Sequence, residues 1–548
     1  MKKIILFLIY FTSINLTHAQ QKQKRFPSKP KLVIGIVVDQ MRWDYLYRYT
    51  DKYDNNGGFK RLLTKGFSCN NTMIPYTPTY TACGHACIYT GSIPAIHGIT
   101  GNNWWDNILQ KNMYCTEDKT VQSIGTQNSS GEMSPRNMLT TTITDELRLF
   151  NNFKSKVIGI ALKDRGAILP TGHSANGAYW YDGKTGNFIT SSYYINELPQ
   201  WVKAFNNKKL VDQYYEMEWN TLFPIDLYKE STADEKPYES KPFGKNQTKF
   251  PYNFSEYIGK DYSKILITPH GNTLTLDMAK AAIEGEKLGA NRNITDFLAI
   301  SFSSTDYVGH NFGPNSIEAE DTYLRFDREL GDFMNYLDTQ YGKNQYLLFL
   351  TADHGVGHIP GFSSENKLPG GNIEDTSLTK KLNEKLKQLY NVDGLVQTVY
   401  NYQVVLNHIA IDSIHMDNDK VIKSVINYLS TQPYVTRAFD LHELPETTLP
   451  EKLKQMVANG YYASRCGDIQ FILKPGYIDG GKTGTTHGLW NPYDAHIPLL
   501  WYGWNIKPGS STEEVYMTDI ASTLAALLHI QMPNGCIGKP IPAILNHK

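Results

Sequence analysis

Five short runs in this chain, Leu32 to Val38, Val157 to Leu162, Phe297 to Phe302, Tyr346 to Leu350 and Ile497 to Tyr502, are apolar at almost every position. A strand with one wet face alternates apolar and polar side chains, whereas a strand covered on both faces is apolar throughout. The runs therefore suit a parallel sheet buried between helices. Between them lie helical patterns: Leu276 to Leu288, and Tyr323 to Leu337 with apolar residues at 323, 324, 326, 330, 333, 334 and 337, a spacing near 3.6. The alternation predicts an α/β fold, a doubly wound, mostly parallel sheet with helices on both faces. Two stretches interrupt it. Residues 171–269, rich in Tyr, Lys, Asn and Pro, read as an insertion and 361–482 as an inserted cap subdomain, and the tyrosines of both would suit a wall that limits access to the crevice. The catalytic core is then 20–360 together with 483–548.

The first residues set the compartment. Lys2 and Lys3 precede an apolar run from Ile4 to Tyr10 and a small-residue site ending Thr17-His18-Ala19. That run falls well short of the roughly 20 residues a bilayer span requires. Residues 1–19 read as a cleaved secretory signal, which predicts a periplasmic or secreted protein with no membrane span after cleavage. Disulfides persist in such compartments, and of the six cysteines Cys466 and Cys536 lie far from the other four, so they are expected to pair with each other. The 54 Lys+Arg balance 54 Asp+Glu, so no basic excess points to a nucleic-acid partner.

The polar residues at the carboxyl end of each apolar run carry the chemistry. The first run ends in Asp39, the second in Lys163-Asp164-Arg165, the third in Ser303-Ser304-Thr305-Asp306 with His310 four residues on, and the fourth in Thr351-Ala352-Asp353-His354. Ligands of open α/β sheets bind outside the carboxyl ends of the strands, so these groups should converge on one crevice. Singly, an Asp after a strand is usually a turn former or a helix cap. Gathered together, carboxylates repel one another unless a cation joins them. Carboxylate oxygen with imidazole nitrogen suits Zn²⁺ or a similar divalent ion, and the ligands are too many for one tetrahedral site, so two ions are expected. His487, in the Gly480 to Gly488 loop, is a further ligand candidate. Thr81 follows Pro78 at the start of a helical stretch. It is either a plain cap or a hydroxyl poised at a helix N-terminus, where anions bind, to attack phosphorus beside a metal.

Six ordered segments, VVDQMRWDYL, PTYTACGHACIYTGSIPAIHGITGNNWWD, LKDRGA, LAISFSSTDYVGHNFGP, TADHGVGHIPG and GTTHGLWNPYDAHIPLLWYG, resemble the alkaline phosphatase superfamily. Within it the chain is similar to the PafA-type enzymes with a threonine nucleophile, relatives of the nucleotide pyrophosphatase/phosphodiesterases. The resemblance implies two Zn²⁺ ions. Asp39, Asp353 and His354 would hold one, with Thr81 as both its ligand and the nucleophile; Asp306, His310 and His487 would hold the other. It makes Asn102 a ligand of a phosphate oxygen and Lys163 and Arg165 a phosphate clamp. It further implies hydrolysis through a phosphothreonine. His85 and His97 fall outside the ligand pattern and read as structural, and His358 as a partner behind a ligand.

Charge selects the substrate. Two Zn²⁺, three Asp carboxylates and one alkoxide sum to about zero, and Lys163 with Arg165 adds about two positive charges. A phosphate monoester dianion matches that better than a diester. The expected function is an exported alkaline phosphatase, a monomer acting on small phosphate monoesters. A phosphodiesterase with the same metals and Thr81 is the main alternative, and an inactive binding protein on the same scaffold a lesser one. The C/S-x-P-S-R context of a sulfatase nucleophile does not occur.

Overall fold

The computed structural model describes residues 29–545, residue 374 excepted, so the segment read as a signal lies outside the described residues. Four of the apolar runs form strands β1 (Leu32–Val38), β2 (Val157–Ala161), β3 (Asp296–Phe302) and β4 (Tyr346–Thr351), each buried along its whole length. They lie parallel in the order β4-β1-β3-β2 within a ten-stranded sheet. The register aligns their ends: Val38 stands opposite Phe302, Val37 opposite Thr351, and Ser301 opposite Ala161. The residues that continue each strand therefore emerge at one rim.

Helices cover both faces. The Tyr323 to Leu337 pattern lies in helix Ile317–Tyr341, with all seven of its apolar positions buried, and the Leu276 to Leu288 pattern lies in helix His270–Glu286 up to its end at Lys287, whose φ is 53°. Three helices start at the rim: α1 (Thr81–Thr90), α2 (Asp164–Thr171) and α3 (Ser304–Phe312). Every residue of α1 is buried, so it packs on all sides instead of showing one apolar stripe.

The fifth apolar run differs from the parallel reading. It is split at Pro498, and its second half, β5 (Leu499–Gly503), runs antiparallel to β4. The reason is the chain's route. It crosses the rim first, where Gly355 N–H donates to the Asp494 carbonyl at 2.7 Å, and can then only descend along the sheet.

The two interrupting stretches are built differently. Within 171–269, Gly177–Asp182 and Asn187–Ser191 extend the main sheet beyond β2. The aromatic residues after them turn inward. Trp219, Tyr252 and Phe254 are fully buried, and the Tyr252 and Tyr228 hydroxyls donate to Glu318 at 2.6 Å and Asp321 at 2.5 Å. They form packed core, not the expected crevice wall, because a phenol bonded to a buried carboxylate has no reason to face water. Within 361–482, strands Val396–Tyr400, Gln403–Leu406, Ile469–Leu473 and Val435–Asp440 form an antiparallel sheet in that order. Leu382, Leu386, Val404, Val421, Leu429 and Phe471 give it an apolar core of its own.

The expected Cys466–Cys536 bridge is not formed, and all six cysteines are free. Cys466 accepts the Tyr462 N–H at 3.3 Å at the base of the cap, whereas Cys536 lies against Gly91 at the end of α1. Buried thiols serve here as small apolar side chains. Among the described residues no helix is long and apolar enough to cross a membrane.

Candidate active site

The level strand ends bring the predicted groups together. Asp39 follows β1, and Asp353 and His354 follow the adjacent β4. Asp306 and His310, four residues apart, share a face of α3. His487 arrives on its loop, which is stitched to α3 by the Thr485 N–H on the His310 carbonyl at 2.9 Å. Asp39, Asp353 and His354 present ligand atoms within 4.8 Å of one another, and so do Asp306, His310 and His487.

Each imidazole is aimed by the backbone. His354 Nδ1 lies 3.0 Å from the Gly355 carbonyl, His310 Nδ1 2.7 Å from that of Thr485, and His487 Nδ1 2.8 Å from that of Thr79. A carbonyl only accepts, so Nδ1 carries the proton, and Nε2 faces the carboxylates. His354 Nε2 stands 3.3 Å from Asp353 Oδ2 and 3.5 Å from Asp39 Oδ1. Both oxygens are buried and have no hydrogen-bond partner. Lone pairs facing at that distance are relieved by a proton or a cation between them, and an all O/N donor set of this kind fits a divalent metal ion.

The electrostatics agree. Burial lowers the His354 pKa to about 4, keeping the ring neutral, and burial with the neighbouring His354 and His310 holds His487 well below its ordinary value. Burial and the Asp39 charge push Asp353 well above the carboxylate range, the mark of two acids sharing a space. In the other set burial opposes ionisation of Asp306, yet His310 and Lys163 hold its pKa well down. Burial would lower His310, but the Asp306 charge raises it.

Thr81 opens α1, its Oγ1 3.3 Å from His354 Nε2. Gly84 permits the approach, since a Cβ there would lie 2.5 Å from the Asp353 carbonyl oxygen. Asn102 Oδ1 accepts the Ala82 N–H at 3.0 Å, so Nδ2 is the half of that amide available to a ligand. The buried Lys163 ammonium donates to Asp39 Oδ2 at 2.6 Å and Asp306 Oδ2 at 2.5 Å, standing where the two ligand sets meet. Arg165 reaches the Tyr114 hydroxyl at 3.0 Å.

Two further residues belong to the site. Gln40 gives its backbone N–H to Asp353 Oδ1 at 3.2 Å and its amide Nε2 to Asp306 Oδ1 at 2.7 Å, so one residue touches both sets. Its φ of 65°, unusual for a side chain of this size, makes that reach possible. His85, one turn after Thr81, spans the Thr81 carbonyl at 3.0 Å and Ser301 Oγ at 2.9 Å, with Nδ1 3.6 Å from Asp353 Oδ2. Position i+4 from the threonine was the signal for it. The His97 ring accepts the Ile99 N–H at 3.1 Å, and His358 binds Asn315 at 2.6 Å, both outside the two sets.

The family model described as Type I phosphodiesterase / nucleotide pyrophosphatase matches residues 33–494. Alkaline phosphatase PhoV of Synechococcus elongatus is 52% identical over 99% of this chain and 98% of its own. A Myroides odoratus protein named calcium-transporting ATPase is 53% identical over 94% of each chain. The crystal structure of alkaline phosphatase PafA, an enzyme of Elizabethkingia meningoseptica, superposes with a TM-score of 0.92 at 50% identity, covering 94% of this chain and 99% of that one. At that identity over nearly the whole chain, the chain belongs to the type I phosphodiesterase/nucleotide pyrophosphatase family and is a phosphatase of its alkaline phosphatase branch.

Proposed function

We propose that the protein is an exported, zinc-dependent alkaline phosphatase that hydrolyses small phosphate monoesters through a phosphothreonine at Thr81. The observation that carries this reading is the meeting of both ligand sets at Lys163, with Thr81 beside one of them. Asp39, Asp353 and His354 would hold one Zn²⁺ and Asp306, His310 and His487 the other. Two such ions supply positive charge to the entering and leaving oxygens of an in-line displacement.

The chain's own groups do the rest. Thr81 Oγ gives up its proton and bonds to phosphorus as the phosphorus–ester oxygen bond breaks, and the departing oxygen takes up a proton to leave as the alcohol. Water then breaks the Thr81–phosphorus bond, which restores the hydroxyl and releases phosphate. Asn102 Nδ2 donates to a non-bridging oxygen, and Lys163 and Arg165 face the dianion with about two positive charges, which favours monoesters over diesters. Monomeric behaviour and a location in the periplasm or outside the cell belong to the same reading.

The test compares a chromogenic phosphate monoester with a diester, before and after chelation and with Zn²⁺ restored. Monoester preference, lost on chelation and regained with Zn²⁺, supports the proposal. Diester preference overturns the substrate assignment in favour of a phosphodiesterase, and inactivity on both points to a binding protein.

A further inference from the structure

The cap reaches the site through two residues. Strands Val396–Tyr400 and Gln403–Leu406 are joined by Asn401 and Tyr402, whose φ values are 56° and 61°. A two-residue hairpin turn with both residues left-handed ordinarily ends in glycine. Here a tyrosine holds the second position, and backbone strain of that kind persists only where the surroundings fix it.

Those surroundings are the loops that carry the chemistry. Asn401 Nδ2 donates to the Asn103 carbonyl at 2.9 Å, next to Asn102. The amide also lies against Gly101, where a Cβ would stand 2.6 Å from Asn401 Nδ2. Tyr402, only 5% exposed, directs its hydroxyl to the His487 carbonyl at 3.4 Å. Gly488, with φ 121°, is wedged between the rings of Tyr402 and Tyr80, each 3.0 Å from where its Cβ would be, and Tyr80 caps α1 directly before Thr81. One turn of the cap thus braces the backbone beside Asn102, His487 and Thr81.

We propose that Asn401 is a positioning residue: its amide, held by the Asn401–Tyr402 turn, sets the place of the Asn102 side chain that grips the phosphate, so the cap is part of the site. This rests on the phosphate-binding role proposed for Asn102, and the experiment separates the two. Asn401→Gly keeps the left-handed turn without strain while removing the amide. Asn401→Asp keeps size and turn preference but loses the donor.

Both variants are expected to lower kcat/KM for a monoester by up to about tenfold, the scale of one hydrogen bond, and to weaken inhibition by inorganic phosphate in parallel, with Tm little changed. In an Asn102→Ala background neither should cause a further loss, because groups acting through one another are not additive. Full losses from Asn401→Gly on top of Asn102→Ala would overturn the proposal, as would unchanged phosphate inhibition or a fully active Asn401→Asp. An Asn102→Ala enzyme with unaltered kinetics would instead refute the role given to Asn102.

Discussion

The two candidate metal-binding sets use the same kinds of atom but rest on different supports. Asp39, Asp353 and His354 follow neighbouring parallel strands whose register fixes their height, and all three are fully buried. Asp306 and His310 ride on a nine-residue helix, His487 on a glycine-rich loop, and the His310 side chain is 30% exposed. A ladder of backbone hydrogen bonds holds the first set; docking of a loop assembles the second. The first should therefore govern stability along with activity, and the second, nearer to solvent, should govern activity and exchange with water.

The largest effect is expected beside the first set. Thr81→Ala should cut monoester turnover by about a thousandfold or more, as for loss of a nucleophile elsewhere, while Thr81→Ser keeps substantial activity. A fully active Thr81→Ala enzyme would remove the reason for the first set. Next, Asp353→Ala should cost about 2–5 kcal/mol by leaving the buried backbone N–H groups of Gln40 and His354, which Asp353 Oδ1 accepts, without a partner. His310→Ala should cost about 1–2 kcal/mol, though both variants lose activity. Equal shifts in denaturant midpoint would break the comparison.

Lys163 joins the sets and Arg165 stands apart on Tyr114, so their removal should differ in degree. Lys163→Ala is expected to lower monoester turnover by up to about a hundredfold, with diester turnover far less affected, and Arg165→Ala to do so in the same direction but less. Equal losses on both substrates would contradict the charge argument.

The smallest effect concerns the loop. Asp494 Oδ2 accepts the Leu489 N–H at 2.8 Å, two residues past His487, and burial raises its pKa to about 8. Folding therefore favours its protonated form: the associated stability is full below the ordinary carboxylate pKa of 3.8, falls as pH rises towards 8, and is level above that. Asn imitates the protonated acid. The Tm of Asp494→Asn minus that of the parent should widen between about pH 4 and 8 and then stay constant. A gap that does not change with pH would show that the carboxyl is ionised throughout.

The same contrast explains what could be read from the sequence. Ligands placed directly after buried strands are visible because the apolar runs mark the strands and the sheet aligns their ends. His487 is not visible in that way; its position depends on the carbonyl of Thr79 and the contacts of Thr485, and only the motif resemblance assigned it. Gln40 escaped notice because an amide next to a ligand looks like any loop residue until its φ and its two carboxylate partners are known. Cysteine spacing carries no distance in space, so the Cys466–Cys536 expectation failed. Composition likewise cannot tell which way a tyrosine faces, and the aromatic insertion proved to be core.

The three imidazole protons offered to backbone carbonyls have a spectroscopic consequence. A buried, hydrogen-bonded Nδ1–H exchanges slowly with solvent, so His354, His310 and His487 should each contribute a resolved proton resonance downfield of the amides. The His310 signal should exchange fastest, since its ring is the one partly open to water. Adding metal stepwise would then move these resonances at different points in the titration, and so reveal the order in which the two sets fill.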